Sequence, residues 1–176
     1  ELSLLAFNRR VLAQAADARV PLLERLRFLC IVSSNLDEFF EIRVAGLKEQ
    51  IKLGSHAAGA DGMTPQEVYR RVTMLAHELI ADQYALLNDV ILPALASESI
   101  AFLRRSLWTD AQREWIHEYF VNEVMPVLTP IGLDPSHPFP RVLNKSLNFA
   151  VELDGTDAFG RSSGAAIVQA PRALPR

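Results

Sequence analysis

The run Ser33-Ser34-Asn35-Leu36-Asp37-Glu38-Phe39-Phe40-Glu41 crowds two hydroxyls, an amide and three carboxylates against a bulky apolar block. Several kinds of chemistry are open to it. Asp37, Glu38 and Glu41 fall within about one helical turn of each other. They can do acid–base or cation work, or simply charge a helix terminus and solvate a helix face. Asn35 can cap a helix by accepting from an orphan backbone N–H. It can equally turn its amide, one end donor and one end acceptor, towards a base or a ribose. The Asn35–Glu38 spacing is that of a capping box, and Asp37 adds negative charge in the first turn, so the cap is the simpler reading. The two readings are compatible, because helix starts also suit polar and anionic ligands. Arg43 and Lys48, further along, read as ion-pair partners for nearby acids.

Other constellations are missing from the sequence. Neither a G-x-x-x-x-G-K nor a G-x-G-x-x-G phosphate loop occurs. No cysteine–histidine cluster has metal-ligand spacing. The four histidines, His56, His77, His117 and His137, stand far apart, and solvated or structural roles suit them. The single cysteine, Cys30, has no neighbour to activate it and sits in an apolar stretch, so a buried, reduced thiol is expected. The chain carries no self-contained catalytic set.

These residues must be held by helices. Ser3 to Ala16 reads as a first helix, capped by Ser3, with Leu4, Phe7 and Val11 on an apolar stripe beside Leu5 and Leu12. Pro21 suits the first position of a second helix. Leu22, Leu26, Leu29 and Cys30 would form its core face, with Glu24, Arg25 and Arg27 outward or sideways. A third helix would start at Asn35 and bury Phe40, Val44, Leu47 and Ile51. Gly54 to Gly62 is an aperiodic loop. Thr64-Pro65-Gln66-Glu67 is a strong helix start. Val68, Val72, Leu75, Leu79, Leu86 and Val90 continue that helix until Pro93 kinks or ends it. The first hundred residues therefore form a bundle of about four helices.

The text then changes. Ile100 to Leu103 is a candidate strand. Thr109-Asp110 caps one more helix carrying Trp115, Phe120 and Val124. Pro126 to Pro140 holds five prolines in fifteen residues, which forbids a helix or a central strand. Ser146 to Leu153 alternates like a half-buried strand, and Ala165 to Val168 is a second strand, with an open edge after Val168. The fold class expected is mainly α, a helical bundle followed by the truncated start of an α+β domain.

The bulk numbers agree with a folded chain. It has 176 residues, 49% of them apolar, and a net charge of −3. A packed core is attainable, and charge does not announce a polyanion-binding surface. No long uninterrupted apolar run reads as a membrane span, and no basic-then-apolar leader opens the chain. A cytoplasmic location is expected. Glu1 at the start and Leu174-Pro175-Arg176 at the end both read as cuts, so we expect a piece of something longer.

Four blocks are similar to one known family. They are Glu1 to Leu12, Pro21 to Leu29, Ser33 to Leu47, and Pro126 to Pro140 continued by Leu143-Asn144-Lys145-Ser146-Leu147-Asn148. In order and spacing they resemble the long-chain, histidine-phosphorylated polyphosphate kinase family. One departure is Leu4, where the family usually carries tryptophan; on the first helix's stripe it should alter packing rather than function. The resemblance implies an enzyme that moves the terminal phosphate of ATP reversibly to inorganic polyphosphate through a phosphohistidine. It implies an N-terminal helical domain over residues 1–104 and the beginning of a head domain over 105–176. The catalytic histidine, the magnesium ligands and most phosphate-binding residues belong to C-terminal domains without counterpart here. None of the four histidines matches the phosphorylated one. This chain is therefore expected to carry neither a catalytic residue nor a metal ligand, and to be inactive alone.

The resemblance assigns one contact. The asparagine of the family's S-[SN]-N-L-D-E-F motif touches the nucleotide and matches Asn35, which moves Asn35 from cap towards ATP contact. The helical domain would close over the adenine end of ATP, and the head domain would support a homo-oligomer. ATP or ADP and polyphosphate are the expected partners, with no nucleic acid and no membrane span. Peripheral membrane association of the intact protein is compatible with this. The rival reading is a helical module that binds a protein partner through an apolar groove, without a nucleotide role.

Overall fold

Helix α1 (Leu2–Ala16) buries Leu5, Asn8, Leu12 and Ala15, a face with helical spacing of three, four and three. The computed structural model describes residues 1–134, 136–155 and 164–171; Pro135 of the proline-rich block and the terminal Leu174, Pro175 and Arg176 lie outside them. The chain divides into two compact units, Glu1–Phe102 and Leu103–Arg176. The buried face of α1 is one step round from the stripe expected from sequence, and Leu4 and Phe7 are exposed. Two apolar stripes overlap on this helix. Packing against α2 (Leu22–Glu38) and α4 (Pro65–Leu86) selects the one that includes the fully buried, small Ala15. Glu1, not Ser3, takes the N-cap position, without a side-chain bond.

Helix α2 corrects two further expectations. Its buried face is Arg25, Leu29, Val32 and Leu36, while Cys30 is exposed. Arg25 turns inward because the last carbonyls of α1 need donors. Its Nε donates to the Ala15 carbonyl at 2.8 Å, placing a cation at the negative end of α1. Gln83 of α4 is also buried, donating from Nε2 to Ser33 Oγ at 2.6 Å and to the Leu29 carbonyl at 3.3 Å.

No helix starts at Asn35. Helix α2 runs through it to Glu38, passes into a π-turn (Phe39–Val44), and continues as α3 (Ala45–Lys52). The capping box expected at Asn35–Glu38 fails because residues upstream are already helical, leaving no terminus to cap. The π-turn has a visible cause. Leu36, Phe39, Val44 and Leu47 are all buried, so the interval widens to five residues between Phe39 and Val44. A regular α-helix would swing Val44 off the core face, and one wide turn absorbs the extra residue. Phe40, one of the expected core residues, is left exposed.

Helix α4 begins as its sequence dictates. Thr64 Oγ1 accepts from the Glu67 N–H, Glu67 Oε2 accepts from the Thr64 N–H, and Pro65 opens the first turn. Val68, Val72, Ala76 and Leu79 are buried. The helix neither ends nor breaks before Pro93. A second π-turn (Leu87–Ile91) leads into α5 (Leu92–Ser97), and Ile91 and Leu95 are fully buried. The wide turn relieves the crowding that the proline ring imposes on the preceding backbone. The resulting helix, Pro65–Ser97, has 33 residues and, by length and composition alone, could cross a membrane. Its buried positions join those of α1, α2 and α3 in one apolar core.

At the junction of the two units, Ile100 to Leu103 is irregular rather than a strand. Helix α6 (Asp110–Tyr119) is capped by Thr109, which exchanges bonds with Gln112. A π-turn over Phe120–Val124 and a short 3-10 turn over Met125–Val127 follow. Three antiparallel strands then pair in the order β1 (Pro130–Gly132), β3 (Ala165–Gln169), β2 (Asn148–Glu152). Pro130 is tolerated because β1 is an edge. β3 is the middle strand, with Ala166 and Ile167 buried and Ile167 opposite both Ile131 and Ala150. Val168 is therefore not at an open edge. Both faces of β2 beyond Asn148 are exposed among the described residues, so its alternation finds no core here.

Candidate functional site

The last turn of α2, the π-turn after it and the first turns of α1 enclose a cleft of about 230 Å³. Leu4 and Phe7 of α1 and Phe39 and Ile42 of the π-turn give it apolar walls. Asn8, Asn35, Glu38 and Arg43 supply its polar groups. The cleft is smaller than the roughly 300–1,000 Å³ of pockets that enclose a whole drug-sized ligand. It suits one flat group with a few polar edges.

Each polar group is placed by its element. Asn35 lies on the flank of α2 beside the buried Leu36, partly sunk, and its Nδ2 donates to Asn8 Oδ1 at 2.8 Å. Its carbonyl Oδ1 accepts nothing from the described residues. Asn8 is buried on the core face of α1. Glu38 closes α2, and Arg43 stands in the wide turn, so one acid and one base flank the cleft. Phe39 meets Phe40 edge to face at 5.9 Å between centroids, which fixes its ring against the cleft. Phe7 carries the Arg10 guanidinium 5.7 Å above its ring, a cation–π arrangement. An ion pair between Arg9 and Asp82 at 3.0 Å ties the same stretch of α1 to α4.

The sequence singled out Asn35, and the fold puts that residue in the cleft, held by Asn8 of α1 rather than capping a helix. The acidic set does not act together: of Asp37, Glu38 and Glu41, only Glu38 lines the cleft. Among the described residues, no group of three His, Cys, Asp or Glu gathers at metal-binding distance. Leu4, where the family usually carries tryptophan, lines the cleft. Asn8 and Phe7 were missed. The signal for Asn8 was present: an amide stands where the stripe Leu5–Leu12–Ala15 calls for an apolar residue.

Elsewhere, His137 serves its turn. Its Nδ1 lies 3.4 Å from Asp134 Oδ2. The Ser136 backbone N–H, then the Ser136 hydroxyl, hold the Asp134 carboxyl below its ordinary range.

The described residues form a helical bundle and a second, α+β unit, with a small cleft of amide and aromatic side chains in the bundle. The chain belongs to the polyphosphate kinase family: the family's N-terminal domain matches residues 1–103 and its middle domain residues 111–176. Polyphosphate kinase of Neisseria meningitidis serogroup A is 69% identical over all 176 residues, which make up 26% of that protein. Polyphosphate kinase of Burkholderia multivorans is 62% identical with the same coverage. A crystal structure of polyphosphate kinase from Porphyromonas gingivalis superposes on 99% of this chain with a TM-score of 0.74 and 26% identity, again over 26% of the larger chain. This chain thus spans about a quarter of the length of these relatives.

Proposed function

We propose that the α1–α2 cleft holds the base end of ATP in an ATP:polyphosphate phosphotransferase, with Asn35 as the contact. The observation that carries this is Asn35, its carbonyl unpartnered among the described residues, lining a cleft walled by Phe7 and Phe39. An amide edge beside aromatic walls suits a flat heterocycle better than it suits phosphate. Phosphoryl transfer depends chiefly on positioning and on charge neutralisation. On this reading the chain does the first, and residues outside it do the second: the phosphohistidine, the magnesium ligands and the cations that hold ATP's phosphates and polyphosphate. The second unit would support a homo-oligomer of the intact enzyme. The intact protein works in the cytoplasm, with peripheral membrane association compatible, and needs neither nucleic acid nor a membrane span. The 33-residue helix serves as the bundle's core rather than as an anchor, because Val72, Ala76, Leu79, Ile91 and Leu95 are spent on packing.

The test is Asn35→Ala in the full-length enzyme. One lost hydrogen bond of about 1 kcal/mol should raise the KM for ATP roughly fivefold, with kcat and the KM for polyphosphate little changed. An unchanged KM for ATP would leave Asn35 a purely structural link between α1 and α2.

A further inference from the structure

Asn8 occupies a position that packing alone would give to leucine. It stands between Leu5 and Leu12 on the buried face of α1 and is 3% exposed. An amide buried there is unfavourable unless bonded. Its Oδ1 accepts a hydrogen bond from Asn35 Nδ2 at 2.8 Å, across the two helices.

That bond has a directional consequence. An asparagine side chain has a donor end and an acceptor end. With Nδ2 turned to Asn8, the Asn35 carbonyl has no partner among the described residues, and Asn35 lines the cleft. The cleft therefore offers a hydrogen-bond acceptor at this point. The 6-amino group of adenine donates to such an oxygen, and the second Nδ2 proton remains for a ring nitrogen of the same base. A 6-oxopurine such as guanine would set two acceptors face to face. We infer that Asn8 is a positioning residue that fixes the polarity of the Asn35 amide, and so makes the cleft select a 6-aminopurine nucleotide over a 6-oxopurine one. The inference rests on the reading of this cleft as the base site of the nucleotide.

The experiment compares kcat/KM for ATP and for GTP in the full-length enzyme and its Asn8→Ala, Asn8→Asp and Asn35→Ala variants. Both substrates are measured on one preparation, so any loss of folded enzyme cancels in the ratio. Asn8→Ala frees the Asn35 amide to rotate, and the ATP-to-GTP ratio should fall about tenfold, mainly through KM. Asn8→Asp keeps an acceptor at the same place and should retain the wild-type ratio. If Asn35→Ala raises the KM for ATP but Asn8→Ala keeps the wild-type ratio, the role given to Asn8 is wrong and the base site stands. A ratio that collapses equally in Asn8→Asp overturns the polarity argument. If Asn35→Ala leaves the KM for ATP unchanged, the base-site reading fails and takes the inference with it.

Discussion

At the scale of single residues, polar groups in this chain act by where they are held. Arg25, Gln83 and Asn8 are each buried with a named partner, at Ala15, Ser33 and Asn35 respectively. Burial raises the penalty for losing a partner, so these bonds also fix side-chain direction. The Thr64 cap is the simplest residue-scale device. Thr64→Ala should lower stability by about 1 kcal/mol, read from the midpoint of urea unfolding. The same cap predicts a pH dependence. The Thr64 backbone N–H, then its hydroxyl, hold the Glu67 carboxyl below its ordinary value in the folded state. A lowered folded value means that the stabilisation is complete above the ordinary glutamate pKa of about 4.3 and fades as pH falls through the lower folded value. Thermal unfolding of wild type and Glu67→Gln should therefore converge in acid and separate towards neutrality. Parallel curves at every pH would deny the carboxylate its part in the cap.

At the scale of elements, the wide turns are the feature that matters. Buried positions of α2 and α3 fall out of α-helical step between Phe39 and Val44, and the chain inserts a π-turn to restore it. The turn lines the cleft with Phe39, Ile42 and Arg43. π-turns arise often at functional sites because they trade helix regularity for side-chain placement. Deleting Phe40 alone should close the turn into ordinary α-helix, since Leu36, Phe39, Val44 and Leu47 would then recur at three, four and three. Helical circular dichroism should be kept, with a melting temperature no more than about 5 °C below wild type. The KM for ATP should nevertheless rise severalfold in the full-length enzyme. A deletion variant with unaltered KM would mean that the cleft does not need the wide turn. The turn before Pro93 answers a different demand, the passage of a long helix past a residue that cannot continue the hydrogen-bond ladder.

At the scale of the whole molecule, this chain is a quarter of what its relatives carry. The described residues hold two amides, an acid and a guanidinium at one small cleft; on the proposed reading they orient a base, and residues outside the chain transfer the phosphate. Incubated alone with ATP and magnesium, the 176-residue chain should make no polyphosphate. Polyphosphate formed by the isolated chain would place the chemistry within it and overturn the assignment of catalysis to missing residues.

Much of this was legible in the sequence because it is local. The Thr64 and Thr109 caps, the helices they start, the strands at β2 and β3, and the interest of Asn35 each follow from residues a few positions apart. So does family membership, which rests on blocks read in order. The remainder needed neighbours distant in the chain. Which stripe of α1 is buried depends on α2 and α4, and Leu4 and Phe7 are exposed; likewise the face α2 buries leaves Cys30 exposed. Whether Asn35 caps a helix turned on whether the preceding residues were helical, and Leu29, Val32 and Leu36 keep them so by packing. β1 is too short to announce itself and exists because β3 pairs with it. Asn8 gained its meaning only when the fold set it 2.8 Å from Asn35. Local chemistry determined the elements and pointed to one amide; packing between helices, which no short window contains, decided which way that amide faces.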